Sequence, residues 1–290
     1  MSATFGCQSM VAPLRRVLVR RPGPEFATAD PACWHYTASP DLEAARAEHD
    51  ALVATLRAAG AEVLLHEADL PDHADAIFVH DPALVTARGA IILRMGKALR
   101  RGEEAAMAAV LAGHGVPTLA RLDGEATAEG GDLLWLDEHT LVVGLGFRTN
   151  SEGLRQLELA LDPLGVTTMA VDLPYDHGPQ ACLHLMSCIS LVDHDLAVVY
   201  PPLVPVRLWQ ELEARGFSMV AVPHEELPTM GPNVLALAPR RCLMLEGNPV
   251  TRARLEDAGC EVATYRGQEI SLKAEGAATC LTRPVLRSAP

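Results

Sequence analysis

Aromatic residues are scarce in this chain: Phe, Trp and Tyr make up 4% of its 290 residues, so its interior must be built mainly from Leu, Val and Ala. Basic residues are also in the minority, 24 Lys and Arg against 37 Asp and Glu, for a net charge of −13. Phosphate binding needs a basic surface, so no nucleic-acid partner is expected. No apolar run reaches the roughly 18 residues that span a bilayer, so no membrane partner is expected either. The stretch from Met1 to Val19 lacks a basic start, an apolar core and a small-residue cleavage site, so it does not read as a secretory signal. Seven cysteines are scattered with no closely spaced pair, which argues against a disulfide framework and for reduced thiols in the cytoplasm.

What is present is ordinary for a globular protein, with 49% hydrophobic and 21% charged residues. Strand and helix signals alternate along the whole length. Strands are expected at 17–20, 62–65, 76–79, 83–86 and 90–93, with a Pro/Gly-rich loop from Pro22 to Pro40. Asp41 is placed to cap a helix running to Ala59, in which Leu42, Ala45, Leu52 and Leu56 share one face and Gly60 ends the run. In the second half, strands are expected at 132–136, 140–145, 166–171, 184–192, 196–200, 234–237 and 242–245. Helices are expected at 103–112, 151–161, 206–214 and 251–258. No stretch reads as a linker, which gives one α/β domain over residues 1–290, built from repeated strand-pair, helix, strand units. A doubly wound sheet would want a Gly-rich turn after its first strand, and Arg21-Pro22-Gly23-Pro24 is a poor one.

Four segments carry candidate chemistry. Asp75-Ala76-Ile77-Phe78-Val79-His80-Asp81-Pro82 sets acids at either end of a short apolar run. Glu129-Gly130-Gly131-Asp132 puts a glycine pair at the mouth of a hairpin, where backbone can approach a ligand and the flanking acids can point into a pocket. Cys182-Leu183-His184-Leu185-Met186 holds a lone His in an apolar run, and Cys280 lies in the small-residue segment Gly276-Ala277-Ala278-Thr279-Cys280. Taken singly, each has a bland reading: a core His, an inert thiol, a turn, solvated acids.

In this order and combination the segments resemble the guanidine-modifying (pentein, or amidinotransferase-like) superfamily, and within it the dimethylarginine dimethylaminohydrolases. The resemblance runs from about Val17 to Arg287. It implies a five-bladed α/β propeller and a hydrolase that needs no metal or cofactor. It implies that Cys280 is the nucleophile and His184 the proton-transfer partner, with Glu129 in the catalytic set and Asp81 and Glu129 clamping the guanidinium. It further implies that Arg100 and Arg148 hold an amino-acid carboxylate, with Arg101 the alternative to Arg100, and that Asp75 takes the α-amino group. The chemistry is coherent: a guanidinium stays charged far above neutral pH, its carbon is a poor electrophile, and its amines leave only when protonated.

Met186 stands where arginine-specific relatives carry an acid, which favours an Nω-methylated arginine, cleaved to citrulline and a methylamine. Arginine deimination and amidino transfer to an amine acceptor are the alternatives. His80 replaces the acid that usually precedes the key Asp, and the 22–40 loop, with Trp34 and His35, takes the place of the family's active-site lid. A non-catalytic amino-acid-binding protein would not need the thiol. A zinc site from Cys182, His184 and Cys188 would lack a fourth ligand at the usual spacing. The expected partner is a small guanidino amino acid, with a homodimer left open.

Overall fold

The computed structural model describes residues 3–179, 181 and 183–288. In it the strands form five separate three-stranded sheets. The first contains β1 (Leu14–Val19) and β2 (Glu62–Leu65), parallel to one another and joined through helix α1 (Leu42–Ala58). The Asp41 carboxylate caps α1 by accepting from the Ala44 N–H, and Ala45, Leu52 and Leu56 are buried along one face. Burying each of those leucines stabilises the fold by about 1.5–3 kcal/mol.

The next four sheets repeat one scheme, a hairpin, a helix, and a strand returning parallel to the hairpin's second strand. They comprise β3 (Ala83–Thr86), β4 (Gly89–Ile92), α2 (Glu103–Gly113) and β5 (Thr118–Arg121); then β6 (Leu133–Asp137), β7 (Thr140–Leu145), α3 (Ser151–Leu161) and β8 (Thr167–Asp172). The third set is β9 (Ile189–Asp193), β10 (Leu196–Val199), α4 (Val206–Ala214) and β11 (Ser218–Ala221). The fourth is β12 (Val234–Ala238), β13 (Arg241–Leu245), α5 (Pro249–Asp257) and β14 (Glu261–Tyr265). Finally β15 (Arg283–Arg287) runs antiparallel to β1, so the first sheet is completed by the last strand of the chain and a ring of five blades closes. This is the five-bladed α/β propeller that the resemblance implied.

Hairpin strands and returning strands differ in burial. Strands β3, β4 and β10 are buried at every position, whereas β2, β5 and β11 each keep two exposed residues. The difference accounts for part of what the sequence reveals, although the returning strands β2 and β8 are also expected from it. Runs such as Ala-Leu-Val-Thr stand out, while the mixed returning strands Thr118–Arg121, Ser218–Ala221 and Glu261–Tyr265 go unannounced.

Three local expectations change. The segment expected as a strand at 76–79 is a 3₁₀ turn, Ala74–Ile77, buried throughout; a four-residue apolar run cannot distinguish a buried strand from a buried turn. The strand expected from His184 starts only at Ile189, because Leu185–Ser187 form a 3₁₀ turn with His184 at its head. The loop between Pro22 and Pro40 contains two short helical segments, Pro24–Thr28 and Pro31–Trp34, the second capped by the Asp30 carboxylate. Among the described residues no helix is long and apolar enough to cross a membrane.

Candidate active site

Every blade places a polar side chain just ahead of the first strand of its hairpin. These are Asp81 before β3, Glu129 before β6, His184 before β9, Asn233 before β12 and Cys280 before β15. Hydrogen bonds draw these segments together across the blades. The His80 N–H donates to the Cys280 carbonyl (3.2 Å), and the Gly130 N–H to the Asp81 carbonyl (3.0 Å). The Gly131 N–H donates to Asp81 Oδ1 (3.0 Å), and His184 Nε2 lies 2.7 Å from Glu129 Oε2. Asn233 Nδ2 donates to Cys280 Sγ at 3.3 Å. The Asn233 amide is oriented by its oxygen, which accepts from both the Thr279 N–H (3.0 Å) and the Thr279 hydroxyl (2.7 Å), so its NH₂ faces the sulfur.

Asp81, His184 and Cys280 line one cleft of about 480 Å³, together with Trp34, Asp75, Lys97 and Arg148. His184 and Cys280 also line a wider groove of about 1250 Å³, where Leu183, Leu203, Leu227 and Met230 alternate with Thr37, Asp176, Ser187 and Glu275. The nucleophile candidate and the His thus stand where the two spaces meet.

Glu129 and Asp132 are fully buried and do not point into the cleft, contrary to the expectation for acids flanking a glycine pair. Glu129 instead backs His184: Oε2 faces the imidazole, Oε1 accepts from the Lys97 N–H (2.9 Å), and Arg148 Nη1 is 3.6 Å from Oε2. Burial on its own would raise the Glu129 carboxyl, but the His184 hydrogen bond and the charges of His184 and Arg148 outweigh it and hold the group below its ordinary value. Asp132 ties the same region down, accepting from the Leu185 N–H (3.0 Å) and the Thr149 hydroxyl (2.7 Å). Its carboxyl is pushed up to about 6 by burial, which those two hydrogen bonds only partly offset. The glycine pair serves protein packing: a Cβ at Gly131 would lie 2.5 Å from His184 Nδ1, and one at Gly130 would lie 2.3 Å from the His80 carbonyl oxygen.

Arg100 is engaged differently from the expectation. Its Nη1 donates to Asp81 Oδ2 (2.6 Å), Nη2 donates to Glu103 (2.8 Å) and the Phe78 carbonyl (2.9 Å), and Nε also donates to Glu103 (3.0 Å). The fork that would grip a substrate carboxylate already grips Glu103. Burial favours a raised Asp81 carboxyl, yet the Arg100 charge, with those of His184 and His80, holds it far below the usual carboxylate range. Arg101 directs its Nε to the Met95 carbonyl (3.3 Å). Arg148 does line the cleft. Asp75 lines it too, but both its oxygens have partners: the Tyr36 hydroxyl donates to Oδ1 (2.8 Å) and Lys97 Nζ to Oδ2 (2.6 Å).

Two side chains named from the sequence lie elsewhere. Met186 is buried and lines an interior cavity with Cys7, Trp135 and Ala236, outside both spaces that meet at Cys280. Met186 therefore touches neither space in which a substrate methyl group could sit, and does not select for one. His80 lines the same interior cavity, its Nδ1 2.9 Å from the Thr282 carbonyl oxygen, so its bulk does not intrude on the cleft. Its pKa is pushed down to about 3 by burial and by the neighbouring Arg283.

The ligand atoms of Asp81, Glu129 and His184 lie within 4.8 Å of one another, close enough to share a metal ion. Arg100 and Arg148 already stand against these carboxylates, however, and their positive charges oppose a divalent cation at the same point. The Cys188 thiol of the zinc alternative turns to the Leu185 carbonyl (3.0 Å) and is pushed up to about 12 by burial, while Cys182 lies outside the described residues. Lys97 and Asn233 are the site residues that sequence reasoning missed. A single Lys or Asn in a polar loop carries no signal of its own.

Comparison with known proteins places this arrangement. A family model described as N,N dimethylarginine dimethylhydrolase, eukaryotic, matches residues 34–287. The N(G),N(G)-dimethylarginine dimethylaminohydrolase of Streptomyces coelicolor is 33% identical over 272 residues, 93% of this chain and 96% of that protein. Among solved structures, a Cys-to-Ser variant of the Pseudomonas aeruginosa dimethylarginine dimethylaminohydrolase in complex with citrulline has a TM-score of 0.77 at 23% identity, covering 93% of this chain and 99% of that one. An amidinotransferase of Microseira wollei from the saxitoxin pathway has a TM-score of 0.84 at 16% identity, covering 99% and 98% of the two chains, and shares the fold. The chain belongs to the dimethylarginine dimethylaminohydrolase family, amidine hydrolases of the amidinotransferase superfamily that act on C–N bonds.

Proposed function

We propose that Cys280 and His184 cleave a C–N bond of an Nω-methylated arginine guanidinium, giving citrulline and a methylamine. The observation that carries this reading is that Cys280, His184 and Asp81, from three different blades, face one cleft. Asp81, whose oxygens keep lone pairs beyond those taken by Arg100 and the Gly131 N–H, fixes the planar cation against the sulfur. The Cys280 thiolate, steadied by the Asn233 N–H, adds to the guanidinium carbon. Protonated His184 gives its proton to the substituted nitrogen, the C–N bond breaks, and the amine leaves a thiouronium on Cys280. Neutral His184 then takes a proton from water as the hydroxide adds to the same carbon. The C–S bond breaks, the thiolate returns, and the hydroxyl proton passes to solvent, leaving the ureido product. Glu129 acts through His184, orienting the ring and favouring its charged form, and does not touch substrate.

The wide groove beside Cys280 supports a methylated leaving group, because it offers room beside the sulfur and counts Leu183, Leu203, Leu227 and Met230 among its walls. The acidic chain and scattered thiols fit a reducing, cytoplasmic setting. The test is a colorimetric ureido-product assay over arginine and its mono- and dimethylated forms, with Cys280→Ser as control. Wild type should favour the methylated forms, and Cys280→Ser should lose turnover while retaining substrate binding. Activity of Cys280→Ser within tenfold of wild type refutes the nucleophile, and a clear preference for free arginine replaces this reading with deimination.

A further inference from the structure

We infer that Lys97 binds the carboxylate of the substrate and closes the Asp75 position to an α-ammonium, so that the cleft selects Nω-methylated ω-guanidino carboxylates without reading an α-amino group. This rests on the guanidine-hydrolase reading and narrows its substrate class, of which methylarginine is the α-amino member.

Lys97 is built into the cleft at both ends. Its backbone N–H is held by Glu129 Oε1 at 2.9 Å. Its segment is pressed against the next blade, where a Cβ at the preceding Gly96 would lie 2.5 Å from the Arg148 carbonyl oxygen. The ammonium donates to Asp75 Oδ2 (2.6 Å) and to the Trp34 carbonyl (3.0 Å), and stands 5.1 Å from the centroid of the Trp34 ring. With Tyr36 on the other Asp75 oxygen, that carboxylate has its positive charge and its hydrogen bonds already. An α-ammonium entering there would set a second cation beside one acid and would have to displace the first.

An incoming carboxylate meets the opposite situation. Lys97 and Arg148 both line the cleft, Arg148 with Glu129 at 3.6 Å and the Ala181 carbonyl at 3.4 Å, while Arg100 is engaged with Asp81 and Glu103. Two cations thus face the end of a substrate whose guanidinium lies at Asp81 and Cys280. A lysine suits this role as a point charge with three N–H donors, of which Asp75 and the Trp34 carbonyl take two, whereas the Arg100 fork is taken up by Asp81, Glu103 and the Phe78 carbonyl. Glu275, which lines both spaces, is the other acid near Lys97, and the charges of His35 and Lys97 act on it as well.

The experiment compares kcat and KM for Nω-methylarginine, its des-amino analogue and its decarboxylated analogue, in wild type and in Lys97→Met. Wild type should handle the des-amino analogue at least as well as methylarginine, and the decarboxylated one at least 30-fold less efficiently, through KM. Lys97→Met should raise KM for both carboxylates tenfold or more with kcat within about threefold. It should also shift the preference toward methylarginine, because Asp75 is uncovered. A des-amino analogue more than tenfold worse than methylarginine in wild type, or an amino preference unmoved by Lys97→Met, overturns the inference. Calorimetric titration of the same three compounds into Cys280→Ser separates the two failures. Absence of turnover by wild type refutes the hydrolase reading, while carboxylate-dependent and amino-independent binding upholds Lys97 on its own.

Discussion

Replacing Glu129 by Gln tests whether a fully buried carboxylate governs the proton chemistry of the site without touching substrate. The change keeps shape and removes one charge. In the wild type Oε2 faces His184 Nε2 at 2.7 Å and Oε1 accepts from the Lys97 N–H at 2.9 Å, so both oxygens act as acceptors. A Gln has a single acceptor oxygen. If that oxygen keeps Lys97, its NH₂ faces His184 and demands an unprotonated Nε2, the wrong state for a proton donor. If it keeps His184, the NH₂ confronts the Lys97 N–H, donor against donor. Either way one buried hydrogen bond to a charged group is lost, and Arg148 Nη1, 3.6 Å from Oε2, loses a counter-charge. A bond of that kind contributes about 1.5–3 kcal/mol, which corresponds to roughly 13- to 150-fold in rate.

The assay is kcat/KM for a methylated arginine across pH, with thermal unfolding to establish that the variant is folded. The rate should fall by the stated factor. The alkaline limb, which reports loss of the His184 proton, should move to lower pH because the charge that favours the imidazolium is gone. A folded Glu129→Gln variant within threefold of wild type, with an unmoved pH profile, refutes the assigned role of Glu129.

Gly131→Ala should lower kcat at least a hundredfold in a folded protein, because its Cβ would meet the His184 ring at 2.5 Å; ureido formation at the wild-type rate would show that the ring moves without consequence. Met186→Leu should leave the ratio of kcat/KM for methylated and free arginine within about twofold, since the side chain packs in the interior; a shift beyond tenfold would return selectivity to this residue. Asp132, raised to about 6 in the fold, retains a proton between about pH 4 and 6 that the unfolded chain has lost. Its contribution is therefore fully present below about pH 4 and is lost as pH rises through 6, by up to about 3 kcal/mol. Denaturant titration of wild type against Asp132→Asn over that window should show a smaller loss of stability in the variant, and an equal slope in both would assign it elsewhere.

Much of the fold was legible because the hairpin strands are covered on both faces and read as unbroken apolar runs, and because α1 and α3 carry capping side chains at Asp41 and Asn150. The site was legible in its residue types but not in its wiring. Cys280, His184 and Asp81 declare themselves by chemistry within small or apolar surroundings. That Arg100 turns to Glu103, that Glu129 stands behind His184, and that Lys97 covers Asp75 depend on contacts 3 to 55 residues apart in the chain. His184 shows the limit most clearly. The apolar run that follows it promises a strand, but Asp132, from another blade, captures the Leu185 N–H, and the backbone turns before the strand begins.

The propeller explains why such a site can hold several buried charges at once. Five blades deliver the same point in their repeat, the entry to the hairpin, to one region. There the Cys280 carbonyl binds His80, Asp81 binds Gly130 and Gly131, Glu129 binds His184, and the Ser190 hydroxyl binds the Pro232 carbonyl at 2.7 Å beside Asn233. Each blade therefore fixes its neighbour, and none of the acids depends on a loop for its position alone. Fixed carboxylates beside fixed guanidinium groups stay ionised in a buried setting, because removing either partner would leave the other unpaired at a cost of about 3–5 kcal/mol. A planar substrate cation then enters a site whose negative oxygens are already oriented, so little reorganisation remains to be done when the sulfur attacks. Closure of β15 against β1 is what brings Cys280 into that ring, and it ties the nucleophile to the completion of the fold itself.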